Sequence, residues 1–152
     1  MPDWRTRQYR SSPLRWTEPN WVDRGPVGKF AFVSGDAYNT LKEYWDLQSS
    51  GDYKRMLGLF APDAVVVDPI HGNIVGLDAI SELMTKVLRE VKRIGASFTL
   101  EELSGDDEVA WAQWVATTDK GERRGVGVYK VRDGRITYYR DYMNAARFDG
   151  RR

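Results

Sequence analysis

From Ser97 to Asn144 the chain reads as four β-strands joined only by hairpin-length links, and this most constrains what it can fold into. The strands fall at about Ser97–Leu103, Val109–Thr118, Arg123–Val131 and Arg135–Asn144. The links are Ser104-Gly105-Asp106-Asp107, Asp119-Lys120-Gly121-Glu122 and Arg132-Asp133-Gly134. Parallel neighbours need a crossover of a dozen or more residues, and none of these links is that long. The segment is therefore expected to be an antiparallel meander.

The preceding part supplies helices. Ser34 can cap a helix that carries Ala37, Leu41, Tyr44, Trp45 and Gln48 at helical spacing and stops at Gly51. Asp52 caps a shorter one with Tyr53, Met56, Leu57 and Phe60. Ala61-Pro62-Asp63 reads as a turn, because the residue before a proline avoids the α region. Ala64–Asp68 reads as a strand ending at Pro69, and His71–Gly76 as a loop or brief strand. From Asp78 to Ile94, Ile80, Leu83, Met84, Val87, Leu88 and Val91 form one apolar stripe opposite Lys86, Arg89, Glu90 and Lys92, and Gly95 closes the helix. Helices followed by a meander define an α+β class: a curved antiparallel sheet, closing into a cone, packed on three helices. Residues 1–33 hold four prolines, yet also Trp4, Trp16, Trp21, Phe30 and Phe32. They are expected to form an irregular aromatic arm beside the domain of residues 34–148, with 149–152 as a tail.

A length of 152 residues suits one domain with a sizeable core. The 23 basic and 22 acidic residues leave a formal charge of +1, so no global field recruits nucleic acid or an acidic membrane. No cysteine is present, which excludes disulfides and thiolate chemistry and fits a cytoplasmic setting. Neither a secretory leader nor a run of ~20 apolar residues occurs. A single histidine, His71, rules out a His-cluster metal site, so neither metal nor cofactor is expected. Six Trp and eight Tyr are enough to build a core and to wall a pocket for a hydrophobic ligand.

Alternation along the last strand puts Tyr139, Asp141 and Met143 on one face and Ile136, Tyr138, Arg140, Tyr142 and Asn144 on the other. Asp141 thus stands between Tyr and Met on a face that should be covered. On Val109–Thr118, one set comprises Val109, Trp111, Gln113, Val115 and Thr117, the other Ala110, Ala112, Trp114, Ala116 and Thr118. If the first lines the cone, Gln113 is an amide among apolar walls that needs a partner, since leaving it unpaired costs ~1–3 kcal/mol. Asp141 could supply one, and Asp68 can point into the same space. A lone strand aspartate is more often at the surface or paired with arginine, but Arg140 faces away. Two carboxylates in an apolar cavity split their ionisation, giving an acid and a base without a cofactor. Gly125 and Gly127 lack the following helix that phosphate binding requires and read as relief for a bent strand.

The stretches Gly51-Asp52-Tyr53, Phe60-Ala61-Pro62-Asp63-Ala64, Gly76-Leu77-Asp78-Ala79-Ile80, Gly127-Val128-Tyr129-Lys130-Val131, Asp133-Gly134-Arg135-Ile136 and Tyr139-Arg140-Asp141-Tyr142 resemble the SnoaL-like branch of the nuclear transport factor 2-like (NTF2-like) superfamily. Within it the chain resembles the limonene-1,2-epoxide hydrolases most. The resemblance covers residues 36–144. It implies Asp141 as general base, places Asp68 where those hydrolases hold a water-binding asparagine, Val66 where they have tyrosine, and Gln113 and Val115 where they have arginine and aspartate. Their Asp-Arg-Asp triad is therefore only partly kept. The expectation is a cofactor-free hydrolase, isomerase or lyase acting on a small hydrophobic molecule, and a homodimer through the outer sheet face. Asp141, Asp68 and Gln113 would be catalytic, with Trp111, Tyr139, Met143, Val66, Val115, Trp45 and His71 around the substrate. A non-catalytic ligand-binding or assembly module is the alternative.

Overall fold

The computed structural model describes residues 34–144, so the aromatic arm and the C-terminal tail lie outside the described residues. Three helices, α1 (Asp36–Ser50), α2 (Tyr53–Leu57) and α3 (Leu77–Ile94), accompany six strands: β1 (Phe60–Asp68), β2 (Gly72–Val75), β3 (Ser97–Gly105), β4 (Val109–Thr118), β5 (Gly121–Arg132) and β6 (Arg135–Met143). All six join one sheet in the order β2-β1-β6-β5-β4-β3. The meander β3–β6 is antiparallel as its short links require. β1 lies parallel to β6, which makes the sheet mixed, and α3 with the meander forms the long connection between them. Among the described residues no helix is long and apolar enough to cross a membrane.

Local chemistry accounts for most boundaries. Asp133 and Gly134 both adopt positive φ in a two-residue link between Arg132 and Arg135, matching the right-handed strand twist. Asp52 caps α2 by accepting from the Arg55 N–H at 3.2 Å. α1 starts differently from expectation. Its cap is Gly35, without a side-chain bond, rather than Ser34. The β3–β4 link takes over the capping: Asp107 Oδ1 accepts from the Asp36 N–H at 3.3 Å, and the Asp106 carbonyl from the Tyr38 N–H at 3.1 Å. A Cβ on Gly35 would stand 2.4 Å from the Asp106 carbonyl carbon, so only glycine allows this approach.

Ala61-Pro62-Asp63 is not a turn between elements. It belongs to β1, where the register with β6 slips between Phe60 and Val65, so the proline sits in an irregular stretch that needs no N–H from it. A second irregularity corrects the face of Ile136. Val131 pairs with Ile136 but Lys130 with Tyr138, leaving Thr137 as the extra residue of a bulge. Ile136 is thereby turned into the core, fully buried, instead of outward with Tyr138.

The core lies between the sheet and α1, with Leu41, Tyr44, Phe60, Ala110, Ala112, Trp114, Tyr129 and Ile136 buried. α1 packs on β3, β4 and β5, and α3 on β1 and β2. Of the α3 stripe only Ile80 is fully buried; Leu83, Met84, Val87, Leu88 and Val91 are half-buried.

Candidate functional site

The helix-facing side of β4 is the set opposite to the one expected. Ala110, Ala112, Trp114 and Ala116 are buried there, with Trp114 only 3 % exposed. Trp111 and Gln113 face the other way. Gln113 donates to Glu101 Oε2 at 2.9 Å, and Glu101 also binds Arg124, so the amide belongs to a surface polar cluster rather than to Asp141. Val115 is buried but lies in register with Arg124, on the side of Gln113. The physical reason lies on the neighbouring strand. Gly125 and Gly127 of β5 oppose Trp114 and Ala112, and only a face bare of Cβ atoms lets rings lie across it. A Cβ on Gly125 would come within 2.2 Å of Trp114 Cζ2, and one on Gly127 within 2.7 Å of Tyr129 Cε2. These glycines make room for aromatic rings, a closer role than relief of strand curvature.

Asp141 stands on this face, in register with Gly127. Its Oδ1 accepts from Trp114 Nε1 at 3.2 Å, and its Oδ2 accepts from the Tyr139 hydroxyl. Tyr139 stacks on Tyr129 with centroids 4.3 Å apart and planes within 7° of parallel. Tyr44 of α1 leans on both rings, at 5.6 Å from Tyr129 and 6.4 Å from Tyr139. Desolvation among these rings pushes the Asp141 carboxyl up to about 6, although the bonds from Tyr139 and Trp114 pull it down; the charge of Asp68 adds to the rise. Burial and the Asp141 charge raise the phenols of Tyr44, Tyr129 and Tyr139 above their ordinary value, so all three stay protonated at working pH.

The structure brings Asp68 to the same place. Val66 pairs with Tyr139 and Val67 with Arg140, so Asp68 and Asp141 are the next residues of two adjacent parallel strands. Val66 is buried on this face, and Met143 is half-buried beside Gly125. Trp45 is buried in the core against Tyr44, at 6.1 Å between centroids, and its Nε1 has no hydrogen-bond partner among the described residues. His71 follows β1 and bonds to Asp68 through Nδ1 at 2.9 Å. Residues whose placement here was not expected are Trp114, Tyr129 and Tyr44. The Gly125-x-Gly127 pair was the sequence signal for the first two. Among the described residues no three His, Asp or Glu side chains gather as a metal set.

Three helices and a six-stranded, mostly antiparallel sheet constitute the NTF2-like fold. Residues 41–139 match the SnoaL-like domain family. The chain belongs to that family. No curated protein matches it. Solved structures similar to this SnoaL-like domain include a protein from Kribbella flavida DSM 17836, 24 % identical with a TM-score of 0.66, covering 76 % of this chain and 93 % of that one. A protein from Xanthomonas campestris pv. campestris, proposed to be a polyketide cyclase, is 21 % identical with a TM-score of 0.60, covering 74 % and 93 %. RV0760c from Mycobacterium tuberculosis, solved in complex with estradiol-17beta-hemisuccinate, is 24 % identical with a TM-score of 0.59, covering 73 % and 95 %. None of the three points specifically to limonene-epoxide hydrolases.

Proposed function

We propose that this SnoaL-like domain is a cofactor-independent acid/base enzyme acting on a small hydrophobic ring compound, with Asp141 as the proton-transfer group. The observation that carries this reading is the Asp141 carboxyl, held by Tyr139 and Trp114 on an aromatic face and raised to about 6. A general base works best with a value near the operating pH, where it is ionised yet still basic enough to accept a proton. The two donors fix the carboxylate and their own protons stay in place. Epoxide opening, double-bond isomerisation and elimination all need such a group, and the proposed cyclase among the similar structures is compatible with them. A binding module without chemistry is the second reading, favoured by the steroid conjugate in the mycobacterial structure. The same proposal includes a homodimer through the outer sheet face, where Trp111, Val128 and the 53 % exposed Tyr142 stand.

The test is a rate profile from pH 4.5 to 8.5 on a cyclic epoxide, a β,γ-unsaturated cyclic ketone and a β-hydroxy cyclic ketone. One of the three is expected to turn over with kcat/KM rising through pH 6 as Asp141 ionises. Gln113→Ala, on the opposite face, should leave that profile unchanged. Binding of these rings without turnover of any would instead establish the binding module.

A further inference from the structure

The turn between β1 and β2 holds a second polar arrangement beside Asp141. Asp68 Oδ1 accepts three N–H groups: the backbone of Ile70 at 2.8 Å, the backbone of His71 at 2.7 Å and the His71 ring Nδ1 at 2.9 Å. Both side chains are largely covered, Asp68 at 12 % exposure and His71 at 23 %. A carboxylate only accepts, so the ring nitrogen that faces it carries the hydrogen. In the neutral imidazole the other nitrogen, Nε2, then presents a lone pair. The backbone bonds hold Asp68 in place, and Asp68 in turn holds the ring.

The two donors that bind Asp141 are already engaged. Tyr139 and Trp114 both give their hydrogens to its carboxylate. The Asp141 carboxylate and, in the neutral ring, His71 Nε2 are both acceptors. Two acceptors select a ligand that donates. We infer that His71 is a ligand-binding residue whose Nε2 accepts the hydrogen of a ligand hydroxyl, with Asp68 as its positioning residue. This deepens the reading of the site as one for small ring compounds and narrows their class to those bearing a donor hydroxyl, such as phenols and cyclic alcohols. It also gives Asp68 an orienting role in place of the acid role expected from the sequence.

Two measurements decide it. The first needs no ligand: the long-range ¹H–¹⁵N spectrum of the wild-type protein at pH 8 should show His71 as the Nδ1–H tautomer, and in Asp68→Ala that preference should be lost. An Nε2–H tautomer in the wild type overturns the inference. The second compares 2-naphthol with naphthalene by equilibrium binding. In the wild type the hydroxyl should favour 2-naphthol, and His71→Phe should reduce the ratio of the two dissociation constants about 5-fold while naphthalene still binds. An unchanged ratio in His71→Phe overturns the inference and leaves the ring-compound reading intact. Failure of the wild type to bind either probe overturns both.

Discussion

Asp141→Asn is expected to lower turnover ~10²-fold or more and, at pH 8, to make the protein more stable than its parent. The two effects share one cause. Folding lifts the Asp141 carboxyl from its ordinary 3.8 to about 6, so the native state binds the proton more tightly than the unfolded chain does. Its contribution to stability is complete below about pH 4, falls as pH rises toward 6, and is lost above it, where an ionised carboxylate stays among the rings. The difference is on the order of 3 kcal/mol. An asparagine carries no charge to bury, and the Tyr139 hydroxyl can rotate to accept from its amide. Urea unfolding at several pH values should show the variant gaining nothing at pH 4 and about 1–3 kcal/mol at pH 8. Gain at high pH with loss of rate is the signature of a group kept for function against stability.

Gly125→Ala is expected to destabilise the fold by about 2–3 kcal/mol, because it overfills a closed space. The new methyl would stand 2.2 Å from Trp114 Cζ2 and 2.6 Å from Cε2. Trp114 has little room to retreat, since it is 3 % exposed and Phe98 lies 5.4 Å from it. Displacing the indole also takes Nε1 away from Asp141, one of the two bonds that pull the carboxyl down. The Asp141 titration should therefore move upward from about 6 as the denaturation midpoint falls. A well-tolerated Gly125→Ala with an unmoved titration would contradict the role assigned to the glycine face.

The contrast between what was legible in the sequence and what was not follows from the same residues. Hairpin links leave few options for connecting strands, so β3–β6 and the Asp133-Gly134 turn could be read directly. The shared face of Tyr139, Asp141 and Met143 also holds, because no bulge interrupts β6 after Thr137. Ile136, on the other side of that bulge, was misplaced for the complementary reason: one extra residue inverts a period of two. On β4 both alternating sets contain a tryptophan and apolar neighbours, so the pattern within the strand does not choose between them. Register with the β5 glycines does, and pairing between strands is a property of the fold. The bond from His71 to Asp68 depends on how a three-residue link turns back on itself, which hydrophobic pattern does not encode.

The most direct measurement is the titration of the Asp141 side-chain carboxyl by ¹³C NMR, assigned with Asp141→Asn. A midpoint near 6 is the expected result. A midpoint at or below 4 would mean that the carboxylate is as well solvated in the folded protein as in water, and would contradict its place as the proton-transfer group of the site.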